Sequence, residues 1–226
     1  MLLNDDPRAE AAYRRAMELR PESPDGWVAL GNLRLLQGDF PAARRLCEEN
    51  RARSKTYEDT FNDNHPSEMI ARIEFFARNY RAAEPLYSEL VKRNSTGGLA
   101  SYGGLSYASA LGRVRQSLGD EAGGRSVLKE SLARELERIP SSTNPIPLYR
   151  IAAIEASLGD KEAALKHLRA AVASGWVDYR STLIDPRFDA ISGDPRFQEI
   201  ISLLKAQVSG LRRQTGQPIT TASNGE

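Results

Sequence analysis

The sequence predicts an all-α fold, a right-handed superhelix of stacked helical hairpins that is closed by a C-terminal capping helix. Three observations favour this solenoid. Gly-Asp pairs recur at regular steps, each between two amphipathic stretches. Small and aromatic residues recur at helical intervals near the start of the chain, and an apolar helical face follows the last hairpin. Together they predict about five two-helix units, the first of them incomplete.

The turns between helices define the period. Gly38-Asp39, Gly119-Asp120 and Gly159-Asp160 each stand between two amphipathic stretches. Glycine suits the left-handed conformation that ends a helix, and aspartate suits the N-cap of the next helix. Arg78-Asn79 and Asn4-Asp5 hold the equivalent places in two less regular units, which gives steps of 34, 40, 41 and 40 residues between successive turns. Steps of this length indicate repeated helical hairpins.

The helices of the repeat region, 1–174, follow from caps and apolar spacing. The first is predicted over 7–19, with Asp6 as its N-cap and Pro7 in the first turn, where a missing N–H costs nothing. The second is predicted over 24–36 and is capped by Ser23. The others are predicted over 41–51, 66–78, 82–92, 102–118, 121–137, 148–158 and 161–173.

The closing segment, 175–211, contains a tandem motif. Asp185-Pro186-Arg187-Phe188 recurs nine residues later as Asp194-Pro195-Arg196-Phe197. In each copy the aspartate is predicted to cap a helix, the proline to begin it, and the phenylalanine to face the core. The helix after the second copy carries one apolar face: Phe197, Ile200, Ile201, Leu204, Val208 and Leu211. We expect it to cover the last hairpin, and we expect the polar residues 212–226 to be a disordered tail.

The second unit resembles the tetratricopeptide repeat family. The family pattern Trp-x2-Leu-Gly-x2-Tyr, then Ala-x3-Phe, maps onto Trp27, Leu30, Gly31, Arg34, Ala43 and Cys47. Arg34 and Cys47 replace the usual aromatic residues. The second helix of the first unit matches the family at Ala9, Tyr13, Ala16 and Pro21. A HEAT-type solenoid also has a period near 40 residues, but it would not explain Trp-x2-Leu-Gly beside a step of 34.

The resemblance implies a scaffold for protein–protein interaction, in which a partner segment binds in the concave groove formed by the first helices of successive units. By register, the candidate partner-binding residues on that face are Asn32, Arg72, Phe75, Phe76, Arg113 and Tyr149. Asn32 and the two arginines would hold a carboxylate through charge-assisted hydrogen bonds, and the two phenylalanines would supply apolar surface. The expected partner is a protein, or an acidic or C-terminal peptide.

A second interpretation stays open. The closing segment resembles that of many bacterial tetratricopeptide repeat proteins, in which such repeats form the C-terminal part of kinases, nucleotide cyclases or winged-helix regulators. The chain would then be the regulatory region of a bacterial signalling protein whose effector domain lies outside it. Because the first unit lacks its first helix, Ala9, Tyr13 and Ala16 lose a packing partner. We expect either a fragment of a longer protein or self-association through this open face.

Composition argues against several classes of function. The chain of 226 residues has a net charge of +1, so it lacks the basic excess that nucleic-acid binding requires. The single cysteine cannot form an intrachain disulfide. No apolar run approaches the roughly 20 residues that span a bilayer. The acidic N-terminus is unlike a signal peptide, which predicts a cytoplasmic protein.

No residue pattern predicts catalysis, a metal site or a cofactor. His65, His167 and Cys47 cannot form a usual zinc ligand set, and Cys47 is best interpreted as a small buried hydrophobic residue. The stretch around Ser106 is one residue short of a nucleophile elbow and lies in a helical region. An autonomous hydrolase is therefore the weakest hypothesis, and we expect a protein that is not an enzyme.

Overall fold

The computed structural model of the protein describes residues 5–53, 65–94, 104–138 and 144–214. Within these ranges the chain forms helices and no β-strand. In chain order the helices are α1 Asp6–Leu19, α2 Pro24–Leu36, α3 Phe40–Arg53, α4 His65–Phe76, α5 Tyr80–Arg93, α6 Tyr107–Ser117, α7 Glu121–Leu136, α8 Pro145–Leu158, α9 Lys161–Ala173, α10 Tyr179–Ile184, the 3₁₀ helix Pro186–Ile191 and α11 Pro195–Gln214.

The helices stack as hairpins. Helix α1 packs on α2, and the pairs α2–α3, α4–α5, α6–α7 and α8–α9 follow, each contacting the next. The predicted all-α solenoid is confirmed. We call the surface formed by the first helices α2, α4, α6 and α8 the concave face. None of the helices in the described ranges combines the length and the apolarity needed to cross a membrane.

The turns that predict the period have the expected backbone. Gly38, Gly119 and Gly159 are left-handed, with φ of 79°, 95° and 89°. Arg78, which the sequence placed at the equivalent position, has φ 58° and is the one non-glycine residue with positive φ in the described part of the chain. A left-handed conformation costs an L-residue about 1–2 kcal/mol, so the rest of the structure must hold Arg78 in place.

Several predicted helix starts differ from the observed ones, and two of the differences come from the capping residue. Asp5, and not Asp6, caps α1, since its carboxylate accepts a hydrogen bond of 3.4 Å from the backbone N of Arg8. Asp6 is therefore inside the helix, and its side chain is available for long-range contacts. Helix α8 begins at Pro145 and not at 148, because the Asn144 side chain accepts from the backbone N of Ile146 at 2.9 Å.

Helix α6 also starts later than predicted. Ser106 caps it, with its Oγ accepting from the backbone N of Ser109 at 3.4 Å. Residues 102 and 103, where the predicted helix began, lie outside the described residues. In contrast, the predicted cap of α2 at Ser23 and the whole span of α9 are confirmed.

Within the described ranges, buried hydrophobic residues form two clusters. The first lies in the middle of the stack, with Leu35, Met69, Phe75, Phe76, Tyr87, Tyr107 and Leu111 among its members. The second joins the last hairpin to the closing segment, with Tyr149, Leu168, Trp176, Phe188, Ile191, Phe197 and Leu204 among its members. Several aromatic and aliphatic residues of the closing segment are therefore part of a core.

Helix α11 caps the stack largely as predicted. Phe197, Ile200, Ile201, Leu204 and Val208 are buried, which confirms that part of the predicted apolar face. Leu211 is 40% exposed, and Arg212 takes a buried place near the helix end instead. The helix continues to Gln214, so the predicted tail cannot begin at 212. Residues 215–226, the rest of that prediction, lie outside the described residues.

Candidate functional site

A segment of the chain itself covers the concave face. Residues 178–191, which comprise α10 and the 3₁₀ helix, are called here the inner segment. The 3₁₀ helix packs against α8 and α6, while α10 packs against α11 and reaches α2. The inner segment therefore runs from the C-terminal end of the stack back across its first helices.

Arg187 anchors this segment in the protein interior. Its Nη1 donates to Ser109 Oγ at 2.9 Å and its Nη2 donates to the carbonyl O of Gly104 at 2.9 Å. The same guanidinium pairs with Asp185 at 2.6 Å between Nη2 and Oδ2, and both side chains are fully buried. Burial disfavours the charge, but Asp185 outweighs it and raises the pKa of Arg187. The buried guanidinium is stable here because Asp185 balances its charge, and because Asp185, Ser109 and the Gly104 carbonyl accept its hydrogen bonds.

Aromatic contacts of Tyr149 hold the inner segment against α8. The Trp176 ring stacks on Tyr149 with centroids 4.0 Å apart, and Phe188 meets Tyr149 edge-on at 5.6 Å. The Tyr149 hydroxyl donates to Asp185 Oδ2 at 2.9 Å. Burial, together with the Asp185 charge, raises the pKa of Tyr149 well above its ordinary value. The tyrosine thus joins α8 to the inner segment through both its ring and its hydroxyl.

Gly104 allows this close approach. A Cβ at that position would lie 2.2 Å from Cδ1 of Tyr149 and 3.0 Å from Cη2 of Trp176. Only a residue without a side chain leaves room for the stacked rings while its carbonyl faces Arg187.

The rim of the concave face adds ion pairs at the 3₁₀ helix. Arg113 Nε donates to the carbonyl O of Pro186 at 3.2 Å. Arg78 Nη2 pairs with Asp189 Oδ1 at 2.6 Å, and Arg113 Nη2 lies 3.8 Å from Asp189 Oδ2. The hydrogen bond to Asp189 raises the pKa of Arg78. The ion pair holds Arg78 in its left-handed turn, a position that usually favours glycine.

The other end of the inner segment reaches the first helix of the chain. Arg180 Nη1 pairs with Asp6 Oδ1 at 2.7 Å, and Gln37 Nε2 donates to Asp6 Oδ2 at 2.9 Å. Burial opposes ionisation of Asp6, but the hydrogen bonds from Arg180 and Gln37 outweigh it and lower its pKa. The contact joins residues 174 positions apart in the sequence.

Comparison with protein families agrees with this architecture. The model of the tetratricopeptide repeat family matches residues 3–55, which contain α1, α2 and α3. Residues 3–55 are thus similar to tetratricopeptide repeats. No curated protein matches it.

Two of the residues predicted for the groove are in contact. Arg72 Nη1 donates to Asn32 Oδ1 at 2.8 Å across 40 residues of sequence, and both side chains are buried. Arg72 also lines a cavity of about 50 Å³ between the first helices and α10, together with Leu36, Phe76, Asp178 and Ser181. The predicted cation therefore lies on the concave face, underneath the inner segment.

The aromatic residues predicted for the groove have another environment. Phe75, Phe76 and Tyr149 are 0%, 3% and 1% exposed. The Phe75 ring packs edge-on against the rings of Phe76 and Tyr87, with centroids 5.6 and 5.9 Å apart. Phe75 and Phe76 thus belong to the core of the repeats, and Phe76 also borders the cavity beside Arg72. Tyr149 is covered by the inner segment.

Sequence reasoning missed the residues that bind the inner segment. The sequence places Asp185 and Arg187 in a helix-start motif and Asp6 at a helix cap, and it does not single out Arg180. A signal did exist, because an aspartate and an arginine two residues apart recur in the tandem motif. Their partners Ser109, Gly104 and Tyr149 lie far away in sequence, so the pattern could not show which copy is buried.

The residues considered as catalytic or metal-binding candidates are buried or make contacts within the helices. Cys47 is 4% exposed, and burial raises the pKa of its thiol to about 12. The Ser106 hydroxyl, besides capping α6, donates to Ser109 Oγ at 2.8 Å. His167 Nδ1 lies 2.7 Å from Glu155 Oε2. Among the described residues, no cluster of three or more histidine, cysteine, aspartate or glutamate side chains could hold a metal ion.

Proposed function

We propose that the protein is a protein–protein interaction scaffold that receives a partner segment on its concave face. Tetratricopeptide repeats generally mediate protein–protein interaction. The observation that carries the proposal is the inner segment, a stretch of polypeptide that already lies on this face and is held through its side chains and through a backbone carbonyl. A surface that binds one short segment has the shape and the donors to bind another.

The partner would enter at the part of the face next to Arg72. This guanidinium borders the cavity beneath α10, where Asp178 and Ser181 of the inner segment also lie. A carboxylate of the partner would gain a charge-assisted hydrogen bond from Arg72, of a kind that is about twice as strong as a neutral one.

Arg113 would provide the second contact. In the free chain it binds the carbonyl of Pro186 and approaches the carboxylate of Asp189. A backbone carbonyl and a carboxylate are the two acceptor groups that any acidic peptide offers. The arginine is only partly exposed, at 25%, so a hydrogen bond that it makes is partly shielded from water.

The proposal is tested with synthetic peptides of defined charge, labelled with a fluorophore and titrated against the full chain by anisotropy. Acidic peptides that end in a free carboxylate should bind, and the same peptides with amidated ends and amides in place of the acids should not. Arg72→Gln and Arg113→Gln should each weaken binding by about 1.5–3 kcal/mol, the usual value for a hydrogen bond to a charged group.

Lys166→Gln is the matched control, because Lys166 is an exposed cation on α9, away from the concave face. It should leave the affinity unchanged. Equal affinity for acidic and neutral peptides, or full affinity in the Arg72→Gln/Arg113→Gln double variant, would show that recognition does not occur at this site.

A further inference from the structure

The two halves of the inner segment are held very differently. In the 3₁₀ helix Pro186, Arg187, Phe188 and Ile191 are buried, and the last two belong to the second core cluster. In α10 only Thr182 is buried, and Leu183 is 47% exposed. The 3₁₀ helix is therefore an integral part of the core, while α10 lies on the surface of the stack.

A small cavity lies beneath α10. The cavity of about 50 Å³ under it is lined by polar side chains, among them Arg72, Asp178 and Ser181, and by apolar ones, among them Leu36, Phe76 and Trp176. A cavity of that size with polar groups on its wall has room for water, since one water molecule needs about 10–15 Å³. Part of the surface that lifting α10 would expose is therefore polar, and that part adds little to the free-energy cost.

The contact between α10 and α1 is one ion pair. Arg180 reaches across to Asp6, and the two side chains are 13% and 27% exposed. Ile184 adds a partly buried contact with the first core cluster. At its two ends α10 is fixed by the Trp176 ring and by Asp185, both in the interior. Between these fixed ends, the buried Thr182 accepts a hydrogen bond of 3.0 Å from Trp176 Nε1, and the other described contacts of α10 are partly exposed.

We propose that α10 is a strap that closes the concave face and opens by releasing Arg180 from Asp6. The strap lifts while Trp176 and the 3₁₀ helix stay in place, which also breaks the hydrogen bond from Trp176 to Thr182, and lifting exposes Arg72 and the cavity. The chain would thereby regulate access to its own groove. The gating role rests on the proposed function, whereas opening of the strap is a property of the free chain.

The strap is tested by NMR-detected hydrogen exchange on the full chain without any partner. In the wild type, the amides of Thr182 to Ile184 should exchange faster than that of Phe188, which donates to the carbonyl of Asp185 at 3.0 Å in the anchored part. Arg180→Asp should raise exchange at 182–184 by roughly 3- to 10-fold, the range expected for a partly exposed ion pair, and leave Phe188 unchanged.

The charge-swapped variant Asp6→Arg/Arg180→Asp should restore most of the protection. Arg15→Glu is the control, since it changes an exposed pair on α1 that does not touch the strap. A measurement without substitutions guards against misfolding of a variant: raising salt from roughly 0.05 to 0.5 M should accelerate exchange at 182–184 in the wild type, because salt screens the pair. Equal exchange at Thr182 and Phe188, or no response to salt, would overturn the strap.

Gating is then measured with an acidic peptide of the type described above. The apparent dissociation constant should fall in Arg180→Asp by the factor by which the open fraction rises. If exchange at 182–184 increases and the affinity stays the same, the strap opens but does not gate the site. If neither form binds the peptide, the proposed function fails and the strap remains.

Discussion

Arg187 and Asp185 form an ion pair with Nη2 and Oδ2 2.6 Å apart, and neither side chain has measurable access to solvent beyond 1%. The second copy of the same tetrapeptide contains the equivalent pair, Arg196 and Asp194, at 3.0 Å. There the arginine is 40% exposed and also binds Glu162 of α9. One motif therefore has two uses, a buried anchor on the concave face and a surface contact at the start of the capping helix.

The buried pair should be the more important of the two for stability. Arg187→Met leaves the buried Asp185 carboxyl without its cationic partner, so it should lower the free energy of unfolding by about 3–5 kcal/mol in urea titrations. Arg196→Met is the matched control and should have a much smaller effect. The double variant Asp185→Asn/Arg187→Met should be less destabilised than Arg187→Met, because no unpaired charge remains inside. Equal losses in Arg187→Met and Arg196→Met would contradict the anchor.

The tandem motif also shows where sequence reasoning succeeds and where it stops. That both copies start a helix and turn their phenylalanine inward was predictable, and is confirmed, because these features depend on neighbouring residues. That only Arg187 is buried was not predictable. Its environment is made by Ser109 and Gly104, which are 78 and 83 residues away.

The same distinction holds for the repeats and the groove. The left-handed turn at Arg78 was predictable from its place in the period, although the residue itself does not favour that conformation. The candidate site was predictable only in part. Register placed Arg72 and Arg113 on the first helices, but could not show that a returning segment would cover them or that Phe75 and Phe76 would be buried.

Two glycines should respond oppositely to alanine. At Gly124 a Cβ would lie 2.6 Å from the carbonyl O of Gly112 and 2.8 Å from the backbone N of Gln116, so α6 and α7 would have to move apart. Gly124→Ala should therefore destabilise the protein by overpacking, which typically costs about 1–3 kcal/mol and outweighs the gain in helix propensity.

Gly210→Ala is its control, because a Cβ there meets nothing within 4 Å in helix α11. It should stabilise the protein by about 0.5–1 kcal/mol. Thermal melts of both variants measure the effect. Stabilisation by alanine at both positions would mean that α6 and α7 are not as closely packed as described.

Cys47 should be unreactive in the folded chain. Its thiol is buried, and a pKa raised to about 12 leaves almost no thiolate at neutral pH. Reaction with a chromogenic disulfide reagent should be slow in buffer and immediate in denaturant. Leu19→Cys, at a position that is 63% exposed, provides a reactive thiol for comparison. Rapid labelling of Cys47 in the native protein would contradict its place between α2, α3 and α4.

Acid should weaken the contact between α10 and α1. The pKa of Asp6 is lowered in the folded state from its ordinary value of 3.8, so its stabilising effect is present above that value and is lost as pH falls through the folded pKa. The difference in unfolding free energy between wild type and Asp6→Asn should be constant near neutral pH and shrink below pH 3.8. A difference that persists unchanged in stronger acid would show that the carboxylate charge plays no part.

Residues 185–191 lie on the concave face against α8 and α6. Nuclear Overhauser effects between selectively labelled rings test this placement directly. We expect cross-peaks from Phe188 to Tyr149, whose ring centroids are 5.6 Å apart, and guanidinium protons of Arg187 that are protected from exchange and lie close to Ser109. A spectrum in which Tyr149 shows contacts with Trp176 but none with Phe188, and in which the Arg187 guanidinium exchanges freely with water, would contradict it.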